Sequence, residues 1–266
     1  MKPNRKQWQV VLTVLLLALV PLGAASAIVF GWPDGDDHPY VGLLVADVDG
    51  VPTWRCTGTL IAPTVFLTAG HCVYGATAVR VWFDTDLTGN EDYPYGGETS
   101  IEGTPYPHPN YTGLTIPQTS DVGIVILDEP VTDLGVGALP EIGLADTLNT
   151  APGVEALLNI VGYGVQGVKP ESISLLIRNQ ATPMLVELDG AISGGWNIHL
   201  TSNPGLGDGT GGTCFGDSGG PALEAVGSNV VVGVGSFVFN SNCRGVGYYY
   251  RVDTEYAQEF INQFLP

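Results

Sequence analysis

Positive charge is scarce in this chain: nine Lys and Arg residues stand against 27 Asp and Glu, a formal net charge of −18. That balance repels nucleic acid and anionic membrane surfaces, so nucleic-acid binding is set aside. Charge of either sign is sparse at 14% of residues, while 37 Gly and 19 Pro break the chain repeatedly. Short apolar runs such as Val230-Val231-Val232 are bounded by turn formers, a texture of many-turned β structure rather than of helices. No period of about 20–50 residues recurs and no low-complexity tract stands out, which argues against a repeat array. Cysteine is rare, with four residues and no C-x-x-C pair, so a metal site is the weaker reading and two disulfides the simpler one. Counting alone leaves three connectivities open.

The first 27 residues read as a signal peptide and are set apart from the fold. Lys2, Arg5 and Lys6 give a positive start and Val10 to Val20 an apolar core. Pro21 then breaks the helix, and Ala25-Ser26-Ala27 is a small-x-small cleavage signal. The competing reading is an uncleaved membrane anchor, since apolar residues continue through Phe30, but an anchor needs neither the proline nor the alanines. Cleavage removes three of the nine basic residues and none of the acids, leaving a mature net charge of −21.

Two motifs carry chemistry. Leu67-Thr68-Ala69-Gly70-His71-Cys72 presents a histidine, and Gly216-Asp217-Ser218-Gly219-Gly220-Pro221 presents a hydroxyl between residues that allow a sharp turn. Serine at its ordinary pKa is a poor nucleophile and needs a base within reach and a third group to orient that base. Asp121 fits the third role, as a lone acid before the apolar run Val122-Gly123-Ile124-Val125-Ile126-Leu127; its burial is costly unless it is hydrogen-bonded, and His71 supplies a partner. His38, His108 and His199 lack a comparable setting and read as structural or surface residues.

From about Ile28 to the C-terminus these motifs, in the order His71, Asp121, Ser218, resemble the trypsin/chymotrypsin family of serine proteases. The resemblance implies an all-β fold of two packed antiparallel β-barrels (chymotrypsin-like), followed by a short C-terminal helix. It divides the chain into a signal peptide (1–27), an N-terminal barrel (28–144), and a C-terminal barrel with the terminal helix (145–266), joined through Leu134 to Gly153. It implies disulfides Cys56–Cys72 and Cys214–Cys243, each contributing about 2–4 kcal/mol by restricting the unfolded chain. The backbone N–H groups of Gly216 and Ser218 become the oxyanion hole. Cleavage after Ala27 would free Ile28-Val29-Phe30-Gly31, a start resembling the family's, whose ammonium would pair with Asp217.

The family places the base of the primary substrate pocket six residues before Ser218, at Gly212, where trypsin-like enzymes carry an aspartate. Ser236, Phe237, Val238 and Gly247 form the walls. Val238 narrows the pocket, so cleavage after small or medium apolar residues is expected, while Gly212 and Gly247 leave space that could admit something larger. Asp84, Asp86, Asn90 and Asp92 form an oxygen-rich loop that reads as a solvated acidic turn before it reads as a calcium site, because it lacks a closing glutamate. Asn110-Tyr111-Thr112 is a glycosylation sequon. Thr254 to Leu265 places Tyr256, Phe260, Ile261 and Phe264 on one helical face, with Asp253 available as N-cap.

The expectation is a secreted, extracellular, monomeric serine endopeptidase. It acts on protein or peptide substrates, needs no cofactor or metal, and has no stable membrane association after signal removal. Its rivals are a secreted non-catalytic binding protein on the same fold and a membrane-tethered protease.

Overall fold

A computed structural model of the protein describes residues 28–148, 156–168, 172–202 and 209–266. The expected signal peptide (1–27) lies outside the described residues, as does the last part of the Leu134 to Gly153 connection. The described chain enters through a two-residue strand, β1 (Trp32–Pro33). The apolar runs that follow become β2 (Val41–Val48), β3 (Val51–Ala62) and β4 (Val65–Thr68). A single helical turn, α1 (Gly70–Val73), precedes β5 (Ala78–Trp82), β6 (Ser100–Pro107) and β7 (Gly123–Leu127). These strands close an antiparallel barrel in the order β2-β3-β4-β7-β6-β5, completed where β5 pairs back onto β2. Seven of the eight β2 residues are buried, which accounts for its nearly unbroken apolar run. The Phe66 ring packs where a side chain at position 58 would stand: a Cβ there would lie 2.3 Å from it, so Gly58 allows the close approach.

Beyond a short helix, α2 (Leu144–Leu148), the chain builds a second antiparallel sheet. Its strands are β8 (Asn159–Gly162), β9 (Asn179–Pro183), β10 (Leu185–Glu187), β11 (Asn197–Thr201), β12 (Gly209–Thr210), β13 (Pro221–Leu223), β14 (Val231–Val238) and β15 (Val246–Arg251). The order is β1-β9-β8-β13-β14-β15-β11-β10, with β12 against β9. The expected class is therefore found, with the second sheet an open half-barrel among the described residues. One boundary needs correcting. β1 pairs with β9 and Ile28 is buried in the second core with Ile160, Ala181 and Tyr249, so the start of the span assigned to the first barrel belongs with the second sheet.

The chain closes with α3 (Glu255–Ile261), shorter than the sequence pattern suggested. Its N-cap is Thr254, whose hydroxyl accepts from the Ala257 N–H (3.2 Å), and not Asp253. The Asp253 carboxylate is engaged elsewhere: it accepts from Arg251 Nε (2.8 Å) and Nη2 (2.7 Å) and from the Ala145 N–H (2.8 Å). The apolar face of the helix packs on the first barrel, with Phe260 against His108 and Phe264 against Tyr106. Val231, Val234 and Tyr250 of the second sheet join the same core as Leu44, Phe66 and Val125, which fixes the two halves against each other.

Candidate active site

Thr68 and Gly123 are register partners at the ends of β4 and β7. His71, just past Thr68, and Asp121, just before Gly123, therefore leave the barrel at the same rim. The disulfide Cys56–Cys72 ties the histidine turn to β3. Asp121 is fully buried. Its Oδ1 accepts from the His71 backbone N–H (2.8 Å) and its Oδ2 from His71 Nδ1 (2.9 Å). The Ser236 hydroxyl donates to the same Oδ2 at 2.5 Å. The proton thus sits on Nδ1, and Nε2 is left as the basic nitrogen, with Cys72 Sγ 3.7 Å away. Burial disfavours the imidazolium, but the Asp121 charge and hydrogen bond outweigh it and raise the His71 pKa above its ordinary 6.5.

Ser218 comes from the second half, on the loop before β13. Gly216 (φ 97°) and Gly219 (φ 78°) hold left-handed backbone on either side, a conformation that any other residue would strain. The loop is anchored to the first barrel: the Thr57 N–H donates to Ser218 O (2.8 Å) and Thr57 Oγ1 to Gly216 O (2.8 Å). Ser218 and His71 line one cavity of about 310 Å³, together with Leu114, Phe215, Phe237 and Val238. The Ser218 hydroxyl makes no hydrogen bond among the described residues; contacts of this kind commonly tighten only when substrate is bound. The Gly216 and Ser218 amides likewise donate to no acceptor among the described residues. Buried N–H groups are almost always paired, so two idle donors beside a half-buried hydroxyl suit an incoming oxygen.

Asp217, next to the serine, is buried. Its Oδ1 accepts from the Gly164 N–H (2.7 Å) and its Oδ2 from the Cys214 N–H (2.9 Å). No cation lies within ion-pairing distance among the described residues. Burial therefore dominates and pushes the carboxyl up to about 7, against the pull of the two amides and of Arg55. Ile28 is fully buried and Val29 bridges Gly212, whose N–H donates to Val29 O (2.9 Å).

Ser236, Phe237 and Val238 line the cavity as expected, but Gly212 and Gly247 are absent from its described lining. The space beside them is also already filled. A Cβ at Gly212 would stand 2.2 Å from Ser202 Cα, and one at Gly247 would stand 2.3 Å from Thr213 Cγ2. The expectation that these glycines open the pocket is corrected: they let β15 and the nucleophile loop pack tightly on Ser202 and Thr213. The second disulfide, Cys214–Cys243, joins the nucleophile loop to the turn after β14. Asp86 and Asn90 spend side-chain oxygens on local turns, accepting from the N–H groups of Thr88 and of Asp92 and Tyr93. Among the described residues Asp84, Asp86 and Asp92 do not converge.

Sequence reasoning did not foresee the Ser236–Asp121 bond, although a hydroxyl within the apolar run of β14 is a signal, because burying it calls for a partner. Ser202 and Thr213 left no comparable trace.

A family model described as Trypsin matches residues 35–261. Brachyurin from Leptuca pugilator is 28% identical over 228 residues, 84% of this chain and 88% of that one. The solved structure of HL collagenase superposes with a TM-score of 0.67 at 23% identity, over 89% of this chain and 97% of that one. Human heparin binding protein superposes with a TM-score of 0.63 at 17% identity, over 89% and 96%. The chain belongs to the trypsin/chymotrypsin-like serine protease family.

Proposed function

We propose that the protein is a secreted serine endopeptidase in which Ser218, His71 and Asp121 act together. The observation that carries this reading is the two-point hold of Asp121 on His71, which lines one cavity with Ser218, beside the idle amides of Gly216 and Ser218. Ser218 Oγ attacks the scissile carbonyl while His71 Nε2 takes its proton. The carbonyl oxygen becomes an oxyanion held by the Gly216 and Ser218 N–H groups. His71 then gives the proton to the departing amine, and water releases the acyl group by the same route. The required base is neutral His71, so kcat/KM rises with pH through a midpoint above 6.5. A pH profile of peptide hydrolysis checks this; a midpoint below 6.5 contradicts it.

Among the described residues no strand covers the outer edge of β14 beyond the Pro221↔Val234 pair, and Ser236–Val238 offer that edge to an extended substrate. Val238 in the lining and the filled space at Gly212 and Gly247 support a preference for small or medium apolar residues on the acyl side.

Export and activation are one event in this reading. Removal of residues 1–27 frees the Ile28 amine, whose ammonium supplies the counter-charge that buried Asp217 lacks. One extra residue before Ile28 then abolishes most activity. A second readout follows from the Asp217 carboxyl at about 7. While it lacks a cation, the folded state holds its proton more tightly than the unfolded chain, so stability falls as pH rises from about 4 to about 7. The extended form shows that loss in Tm, and the form beginning at Ile28 does not. Equal activity and parallel Tm profiles would sink the activation proposal.

The test of the main reading is mass-spectrometric profiling of a diverse peptide mixture with protein verified to begin at Ile28. Cuts clustered after alanine or valine, and lost after treatment with a serine-directed phosphonate, are the expected result. Unaltered peptides would point instead to a binding protein.

A further inference from the structure

Three described arginines are ion-paired: Arg80 with Asp47 (2.7 Å), Arg178 with Asp34 (2.8 Å), and Arg251 with Asp146 (2.8 Å) and Asp253 (2.7 Å). In a chain with three times as many acids as bases, such pairing is the expected fate of a cation. Arg55 and Arg244 have no carboxylate within ion-pairing distance among the described residues. Arg244 is exposed at a turn, where water solvates it. Arg55 is half-buried beside the nucleophile loop. A Cβ at Gly216 would stand 3.0 Å from its Nε and 3.6 Å from Nη2, and Nη2 donates to the Ser174 hydroxyl at 2.5 Å. Among the described residues, most of the guanidinium's five donors are therefore uncommitted.

Its position relative to the reacting centre is fixed. Arg55 lies on β3 two residues before Thr57, whose N–H holds Ser218 O, and the neighbouring Trp54 Nε1 donates to Cys72 O (2.8 Å). Two strand residues span about 7 Å. The acyl half of a substrate would run along β14, in the cavity lined by Phe237 and Val238. Arg55 is absent from that cavity and lines another, of about 290 Å³, with Trp54, Tyr93 and Pro94. The departing half of the substrate is the part that would pass it.

We infer that Arg55 forms a subsite for an acidic residue at the first or second position on the leaving-group side of the scissile bond. The inference rests on the protease reading. A planar guanidinium with free donors takes a carboxylate through two parallel hydrogen bonds, and in a surface as acidic as this one the local positive charge also steers such a peptide into register. A purely structural role is the competing account, because the Arg55 charge also favours the Asp217 carboxylate. The two differ in what they move: a structural role alters all substrates alike, whereas a subsite alters only acidic ones.

The experiment uses peptides identical on the acyl side, with Asp, isosteric Asn, or Lys at each of the two leaving-side positions. The kcat/KM ratio of Asp to Asn is expected to be about tenfold at one position at low salt, and to shrink as salt screens the pair. In Arg55→Gln the ratio falls to about one, while Arg55→Lys keeps part of it. A wild-type ratio near one at both positions, or a ratio unchanged in Arg55→Gln, overturns the subsite. If Arg55→Gln does not fold, Arg55→Lys and the wild-type salt series decide. Absence of any phosphonate-sensitive cut by the wild-type protein would instead overturn the protease reading, and the subsite with it.

Discussion

Exchanging Ser218 for alanine lowers kcat/KM on a peptide substrate by a factor on the order of 10⁶, the scale known for removing the nucleophile of such a unit. The fold should barely register the change. The anchoring bond at this residue uses its backbone carbonyl, which accepts from the Thr57 N–H, and the side chain is only half-buried with no hydrogen bond among the described residues to lose. Turnover assays at matched Tm check both halves of the expectation. The residual rate is informative in itself, since the Gly216 and Ser218 amides survive the substitution and still hold an oxyanion. Activity within tenfold of wild type would remove Ser218 from the mechanism.

Asp121→Asn is the second large effect, a loss of about 10⁴ in kcat, the size seen where an aspartate orients the histidine of a triad. Three donors converge on this carboxylate, from His71 N, His71 Nδ1 and Ser236 Oγ. An asparagine must turn its NH₂ towards at least one of them. If it faces Nδ1, the imidazole is driven to the other tautomer and Nε2 is no longer a base. If it turns the other way, the backbone N–H of His71 loses its acceptor. Either choice leaves a buried group unpaired, at about 1–3 kcal/mol of stability. The substitution also removes the charge that raises the His71 pKa, so burial alone remains and the imidazole titrates lower than in the wild type. NMR titration of His71 separates that electrostatic loss from unfolding. An unchanged pKa with full activity would dismiss Asp121 as the orienting group.

The parts of this site legible in the sequence are those written as local patterns. The glycine-flanked serine and the histidine beside a cysteine need their neighbours for backbone reasons, and an acid in front of an apolar strand announces a buried charge. The disulfide pairing came through the family resemblance and is the one found. What stayed hidden depends on chain crossings. Trp32–Pro33 pairs with a strand almost 150 residues away, and no local periodicity records that choice. Asp253 looked like a helix cap because its competing partners, Arg251 and the Ala145 amide, meet it only in three dimensions. Gly212 and Gly247 read as open space because a missing side chain looks the same in sequence whether it leaves a void or admits a neighbour.

That ambiguity at Gly212 bears on how the pocket could change over time. An acid at Gly212, the position where trypsin-like enzymes carry an aspartate, would meet the backbone at the end of β11, with Ser202 Cα 2.2 Å from the first added atom. Trimming Ser202 to glycine leaves that carbon in place. An acid at position 212 therefore has no single-step path here; the strand end must first be rerouted, by a change in loop length or course. In the proposed enzyme the choice of substrate is thus set at this position by the path of the main chain and not by an exchangeable side chain.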